Sequence, residues 1–162
     1  MNTFLPSISL EQSAKWLDNT RLGKQRVECY QILKALTDPT YGWQNHPAVT
    51  MWQQYKHALL FYSVNICLEW QQRGYKDTCK LKIIKLANDN NIYIRDGWIR
   101  PPWLTESFAS NHRFILLGKA VESLIQAKYN YGQATWDKSE EQKKIAQRKI
   151  NKAKQDRDWE TK

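Results

Sequence analysis

The sequence predicts an all-α fold, a compact single-domain helical bundle with a long central helix. Three observations carry this. Apolar residues recur at intervals of three and four, most clearly in Ala48, Trp52, Tyr55, Leu59, Tyr62, Ile66 and Trp70, the period of a helix with one buried face. Residues that start and stop helices stand at the ends of the periodic segments. The one strand-like run, Ile92-Tyr93-Ile94, is too short and isolated to make a sheet. With 162 residues, the chain has room for a real core.

Pro6 breaks an extended start, and Ser9 is placed to cap a first helix carrying Leu10, Ala14 and Leu17, with Gln12 in the capping-box position. Asp18 or Thr20 can cap the next helix, which runs from Arg21 to about Leu36 and closes at Asp38-Pro39 and Gly42. Leu22, Cys29, Leu33 and Leu36 share one of its faces. Glu28 falls about one turn off that face, nearly in line with Arg21, and Arg26 points toward the apolar side. Gly23 weakens the helix locally but would let a backbone or a ligand come close. A carboxylate at a core boundary beneath cations suits an acid/base group with a tuned pKa. It suits one end of an intrahelical ion pair equally well, and spacing alone favours the pair.

Pro47 fits the first turn of the long helix, with Asn45 or His46 near its cap, and Arg73-Gly74 ends it. Asp77-Thr78 open a shorter helix through Leu81, Ile84 and Leu86, which stops at Asn88-Asp89-Asn90-Asn91. Gly97 and Pro101-Pro102 mark a loop flanked by Trp98 and Trp103. Thr105 can cap a further helix with Phe108, Ile115, Leu116, Ala120 and Leu124 as its apolar set, and Asn111-His112-Arg113 is unusually polar for its place there. After Trp136 come nine Lys or Arg and six acids. The expected organisation is therefore a helical domain over 1–136 and a charged C-terminal helix or tail over 137–162.

Twenty-five Lys and Arg against 16 Asp and Glu give a formal charge of +9, which points to a polyanionic partner, nucleic acid rather than a membrane surface. No run of eighteen apolar residues is present, so no membrane span is expected. The start lacks the n- and h-regions of a signal peptide, so a cytoplasmic location is expected. The 8 Trp and 8 Tyr suit base stacking or an aromatic core, and helical spacing assigns most of them to the core. Cys29, Cys67 and Cys79 form no CxxC pair, which favours buried thiols over a disulfide framework or a zinc site. His46, His57 and His112 stand singly, without metal-site spacing. Neither a metal nor an organic cofactor is expected. Any chemistry would rest on side chains or the chain terminus.

Three blocks carry a family resemblance: Met1-Asn2-Thr3-Phe4-Leu5-Pro6, Arg21-Leu22-Gly23-Lys24-Gln25-Arg26-Val27-Glu28, and Gly42-Trp43-Gln44-Asn45-His46-Pro47-Ala48-Val49. Together with Gln71-Gln72-Arg73-Gly74-Tyr75, they resemble a bacterial group similar to the pyrimidine-dimer DNA glycosylases of the endonuclease V type. The matched blocks cover roughly the first half of the chain, with weaker echoes around Ser110-Asn111-His112-Arg113. The resemblance implies a cofactor-free DNA glycosylase with abasic-site lyase activity, acting on damaged double-stranded DNA, and a monomer is expected. It implies that the α-amine of Met1 attacks the sugar and that Glu28 assists. Arg21, Lys24 and Arg26 would bind flanking phosphates, and Asn45, His46, His112 and Arg113 complete the expected DNA contacts. Val27 and Gln31 stand where the family has arginines. Two alternatives stay open: a same-fold enzyme for another modified base or abasic site, and a non-catalytic basic nucleic-acid-binding module.

Overall fold

Short-range capping sets most helix boundaries. The Ser9 side chain accepts from the backbone N–H of Gln12 and opens α1, Leu10–Lys15. The Asp18 carboxylate accepts from the N–H groups of Thr20 and Arg21 and opens α2, Asn19–Thr37, so Asp18 rather than Thr20 is the cap. His46 Nδ1 accepts from the N–H of Ala48 and opens α3, Pro47–Trp52. Then follow α4, Lys56–Gln72, α5, Cys79–Asp89, α6, Glu106–Trp136, and α7, Glu140–Arg157. Each cap supplies an acceptor to an N–H that the helix itself leaves unpaired.

This computed structural model describes residues 1–94, 100–136 and 140–157, with the backbone alone described for 128–136, 140–143, 146 and 156–157. The expected loop at Gly97 and Trp98, and 137–139 and 158–162 of the charged tail, lie outside the described residues. The fold is all-α, and Ile92-Tyr93-Ile94 forms no strand.

The long central helix expected from Pro47 to Gln72 is two helices. Three residues, Gln53 to Tyr55, separate α3 from α4, and Tyr55 sits at φ −124°, ψ 38°, outside the helical region. The apolar period runs on across the break, which is why the pattern concealed it. Breaking there lets Trp52 and Tyr55 both meet Trp103 edge-on, with ring centroids 5.0 and 6.2 Å away. It also frees Lys56, whose Nζ donates to the Leu36 carbonyl at 3.0 Å and satisfies one of the last acceptors of α2.

Contacts divide the chain into two units, Met1–Ser110 and Asn111–Lys162. In the first, α4 packs against α1, α2 and α5, and α2 also packs against α3 and α5. Leu5, Leu10, Leu17, Leu22, Ile32, Trp52, Leu59, Tyr62, Ile66 and Ile83 are fully buried there, each aliphatic one contributing about 1.5–3 kcal/mol of transfer free energy. Arg73 fastens the end of α4 to the end of α1, donating to the Leu17 carbonyl at 2.7 Å and to Asn19 Oδ1 at 2.9 Å. In the second unit, Leu124 and Ala127 of α6 pack with Ile150 and Ala153 of α7. Leu116 and Ala120 are buried as expected, whereas Ile115 is exposed.

Candidate active site

The buried stripe of α2 carries two residues that do not belong to an apolar core. Leu22, Gln25, Glu28, Cys29, Ile32 and Leu33 all face inward. Glu28 was expected a turn away from this stripe; it lies in it, 8% exposed. Gln25 is fully buried and uses both ends of its amide. Its Nε2 donates to the Asn2 carbonyl at 2.8 Å, and its Oε1 accepts from the Phe4 N–H at 3.2 Å. One side chain therefore grips alternate backbone groups of the N-terminal segment as a neighbouring strand would.

Two further bonds fix that segment. Trp52 Nε1 donates to Thr3 Oγ1 at 3.3 Å, and the Tyr62 hydroxyl donates to the Phe4 carbonyl at 2.7 Å. Burial holds the Tyr62 phenol well above its usual pKa, with the neighbouring Cys29 and Glu28 adding to the rise, so it stays a donor. Half-buried Met1 begins this segment, one peptide and thus about 3.8 Å in Cα spacing from Asn2. Gln25 and Glu28 are three residues apart on one helix face, about 5–6 Å between Cβ atoms. The start of the chain is thereby tied to the turn of α2 that bears Glu28.

The cations divide. Lys24 Nζ stands 3.9 Å from Glu28 Oε1 and is 76% exposed, a loose pair that holds neither group in place. Arg21 pairs with buried Asp18 rather than with Glu28. Arg26, expected at a phosphate, faces inward: it pairs with Asp77, and its guanidinium carbon lies 4.2 Å from the Trp70 ring centroid. A part-buried ion pair capped by an aromatic face leaves little of that charge for DNA. Gly23 does permit a close approach, and what approaches is Trp70, whose ring would stand 3.1 Å from an added Cβ.

The remaining candidates lie elsewhere. His46 caps α3 through Nδ1. Asn45 is exposed and lines a cleft of about 440 Å³ with Leu36, Val49, Gln53 and Lys56, at the far end of α2. His112 and Arg113 belong to the second unit, and burial lowers the His112 pKa. Cys29 is buried, which pushes its thiol up to about 12, and burial raises Cys67 further still; neither is a nucleophile. Among the described residues, no three His, Cys, Asp or Glu gather as a metal site.

Sequence reasoning singled out neither of two further residues. Gln25 read as an ordinary polar residue, and only its place between Leu22 and Cys29 on the apolar face could have marked it. Trp43 was read only as part of the stretch before the long helix, and it is 66% exposed.

The first unit is thus all-α, with its N-terminal segment held by the helix that also carries the buried Glu28. The family model for pyrimidine dimer DNA glycosylases matches residues 1–83, which include the N-terminal segment, α2, α3 and α4. The chain belongs to the pyrimidine dimer DNA glycosylase family. No curated protein and no solved structure matches it. Among the described residues, no helix is long and apolar enough to cross a membrane.

Proposed function

We propose that the protein is a DNA glycosylase and abasic-site lyase whose nucleophile is the α-amine of Met1 and whose acid/base group is Glu28. The observation that carries this is the Gln25 amide, which grips Asn2 and Phe4 one helical turn from Glu28. An α-amine with an ordinary pKa of about 7.7–8 has a usable neutral fraction near pH 7. It attacks the sugar C1′, the C1′–N bond to the base breaks, and the departing base takes the bonding pair and a proton. Loss of a proton from nitrogen and opening of the sugar ring give an imine. Removal of a C2′ proton then expels the 3′ phosphate by β-elimination, and water hydrolyses the imine to release the amine.

Glu28 suits the proton transfers in these steps. Its carboxylate also opposes the positive charge that develops on the sugar. Lys24 and Arg21 would meet phosphates on either side. Arg26, held by Asp77, serves the fold instead. Val27, exposed beside Glu28, and Gln31 replace charges that the family uses on DNA. This favours, as a second reading, a same-fold enzyme for another modified base or for abasic sites.

Borohydride trapping on duplexes with a thymine dimer, with an abasic site, or with neither tests the proposal. An adduct that depends on the dimer and disappears when the N-terminus is blocked is expected. An adduct on abasic DNA alone selects the second reading. Absence of any adduct, with salt-sensitive binding retained, leaves a non-catalytic binding module. Glu28→Gln should abolish turnover while sparing DNA affinity, and wild-type turnover in that variant would remove Glu28 from the mechanism. Peptide mapping of the adduct separates Met1 from Lys24.

A further inference from the structure

Between α2 and α3 the chain forms a short loop held at both ends by hydrogen bonds. The Asp38 carboxylate accepts from the Thr40 N–H at 2.9 Å and the Thr40 hydroxyl at 2.6 Å. The Asp38 carbonyl accepts from the Tyr41 N–H at 3.1 Å and from Gln44 Nε2 at 3.1 Å, and the His46 N–H closes a turn on the Trp43 carbonyl at 3.0 Å.

At the tip of this loop, Trp43 has φ +77°, a left-handed conformation that is strained for a bulky residue. Gly42, next to it and able to take that conformation freely, does not take it. The Trp43 indole is 66% exposed, and the His46 ring meets it edge-on at 5.9 Å. The loop thus holds a large apolar ring out in water in a strained backbone conformation. Gly42 adds a second observation: nothing lies within 4 Å of where its Cβ would be. Neither backbone conformation nor packing in the free protein calls for glycine there, whereas close approach of an external molecule would.

We infer that Trp43 stacks on a nucleobase unstacked from the distorted duplex, with the DNA backbone passing close over Gly42. This rests on the reading of the protein as a DNA glycosylase. A chain of net charge +9 draws a polyanion rather than an acid-poor protein surface. Indole offers a stacking face to any base, and a duplex kinked at a lesion has already lost part of the stacking that opposes this. Lys34, with Nζ 4.8 Å from the Tyr41 ring centroid, puts a cation at the root of the same loop. Ten residues of α2 separate Glu28 from Asp38, about 15 Å along the axis. The stacked base is therefore several steps from the reacting sugar, and Trp43 grips the distorted strand rather than the target nucleotide.

The test measures affinity of the full chain for two duplexes of one sequence, one intact and one carrying a non-reactive tetrahydrofuran abasic analogue. Trp43→Ala should lose about five- to a hundredfold on the distorted duplex and nothing on the intact one. Trp43→Phe should stay near wild type, and Trp43→Leu, apolar without a stacking face, should behave like alanine. Gly42→Ala, which fits the free protein, should weaken only the distorted complex. Equal losses on both duplexes, unchanged affinity in Trp43→Ala, or a leucine variant as good as phenylalanine would overturn the inference. So would a self-association that Trp43→Ala abolishes while leaving DNA affinity intact. Thermal unfolding of each variant separates loss of fold from loss of stacking, the Phe–Leu comparison holding either way. Binding to the inert analogue needs no turnover, so a wild-type protein without glycosylase activity would overturn the proposed function and leave this inference standing.

Discussion

Gln25 and Phe4, 21 residues apart, share a buried hydrogen bond from the Phe4 N–H to Gln25 Oε1 at 3.2 Å, while the other end of the same amide holds the Asn2 carbonyl. Gln25→Leu leaves the Phe4 N–H buried without an acceptor. A cost of about 1–3 kcal/mol is expected in urea unfolding. Trapping on abasic DNA should fall by more than the unfolded fraction explains, because the segment holding Met1 is released. An undiminished trapping rate in the folded variant would show that the amide does not position the terminus.

Acid should act through Asp77. Burial pushes its carboxyl up, but the Lys80 N–H, the Arg26 guanidinium and the Cys79 N–H outweigh that and hold it below the usual 3.8. A carboxyl depressed in the folded state contributes stability that is present above the unfolded pKa and lost as pH falls through the folded one. The melting temperature should therefore hold above about pH 5 and decline below about pH 4. Asp77→Asn should flatten that decline and cost about 1–3 kcal/mol at neutral pH by leaving the part-buried Arg26 without a counter-charge. Melting curves from pH 3 to 7 read both effects.

Gly23→Ala sets helix propensity against packing. Alanine favours the helix by roughly 0.5–1 kcal/mol, but its Cβ would stand 3.1 Å from the Trp70 ring. That ring cannot retreat easily. Arg26 lies over it, Tyr75 stacks on it at 4.1 Å, and its Nε1 donates to the Lys76 carbonyl at 3.0 Å. Net destabilisation of about 1–2 kcal/mol is expected, and Trp70→Leu in the same chain should make the alanine neutral or favourable. A double-mutant cycle checks the coupling.

Thiol chemistry should be nearly silent in the native state. Cys29 and Cys67 are buried, and Cys79 is half-buried. With the Cys29 thiol near 12, chiefly through burial, a disulfide-exchange reagent at pH 8 should titrate Cys79 promptly and the other two only in denaturant. Immediate release from all three would contradict the burial.

The parts of the fold that the sequence made legible are those written in neighbouring residues. Ser9, Asp18 and Thr105 cap helices because an acceptor and the N–H groups it serves lie within three positions of each other. The apolar stripe of α2 likewise follows from period alone. What escaped depends on distant partners. Arg26 points toward the apolar side as its spacing says, but its partner Asp77, 51 residues on, could not be read from period. The break at Gln53 to Tyr55 answers to Trp103. Period alone put Glu28 a turn off the apolar face, and its burial goes with the seating of Gln25 against Asn2 and Phe4. Trp43 and Trp52 stand nine residues apart in similar aromatic surroundings, and only the loop conformation sends one outward and the other into the core.

The bonds that hold residues 2 to 4 come from Gln25, Trp52 and Tyr62, and Arg73 fastens the helix that follows them. The start of the chain is thus placed by residues made long after it. During synthesis, residues 2 to 4 emerge well before Trp52 and Tyr62, and contacts at such separations form only after long loops close. A nascent chain ending before residue 62 has Gln25 and Glu28 but lacks the Tyr62 hydroxyl that holds the Phe4 carbonyl. Competence on DNA would then arrive with completion of α4, so truncation after α3 should yield a chain with the right chemistry in its sequence and no site in space.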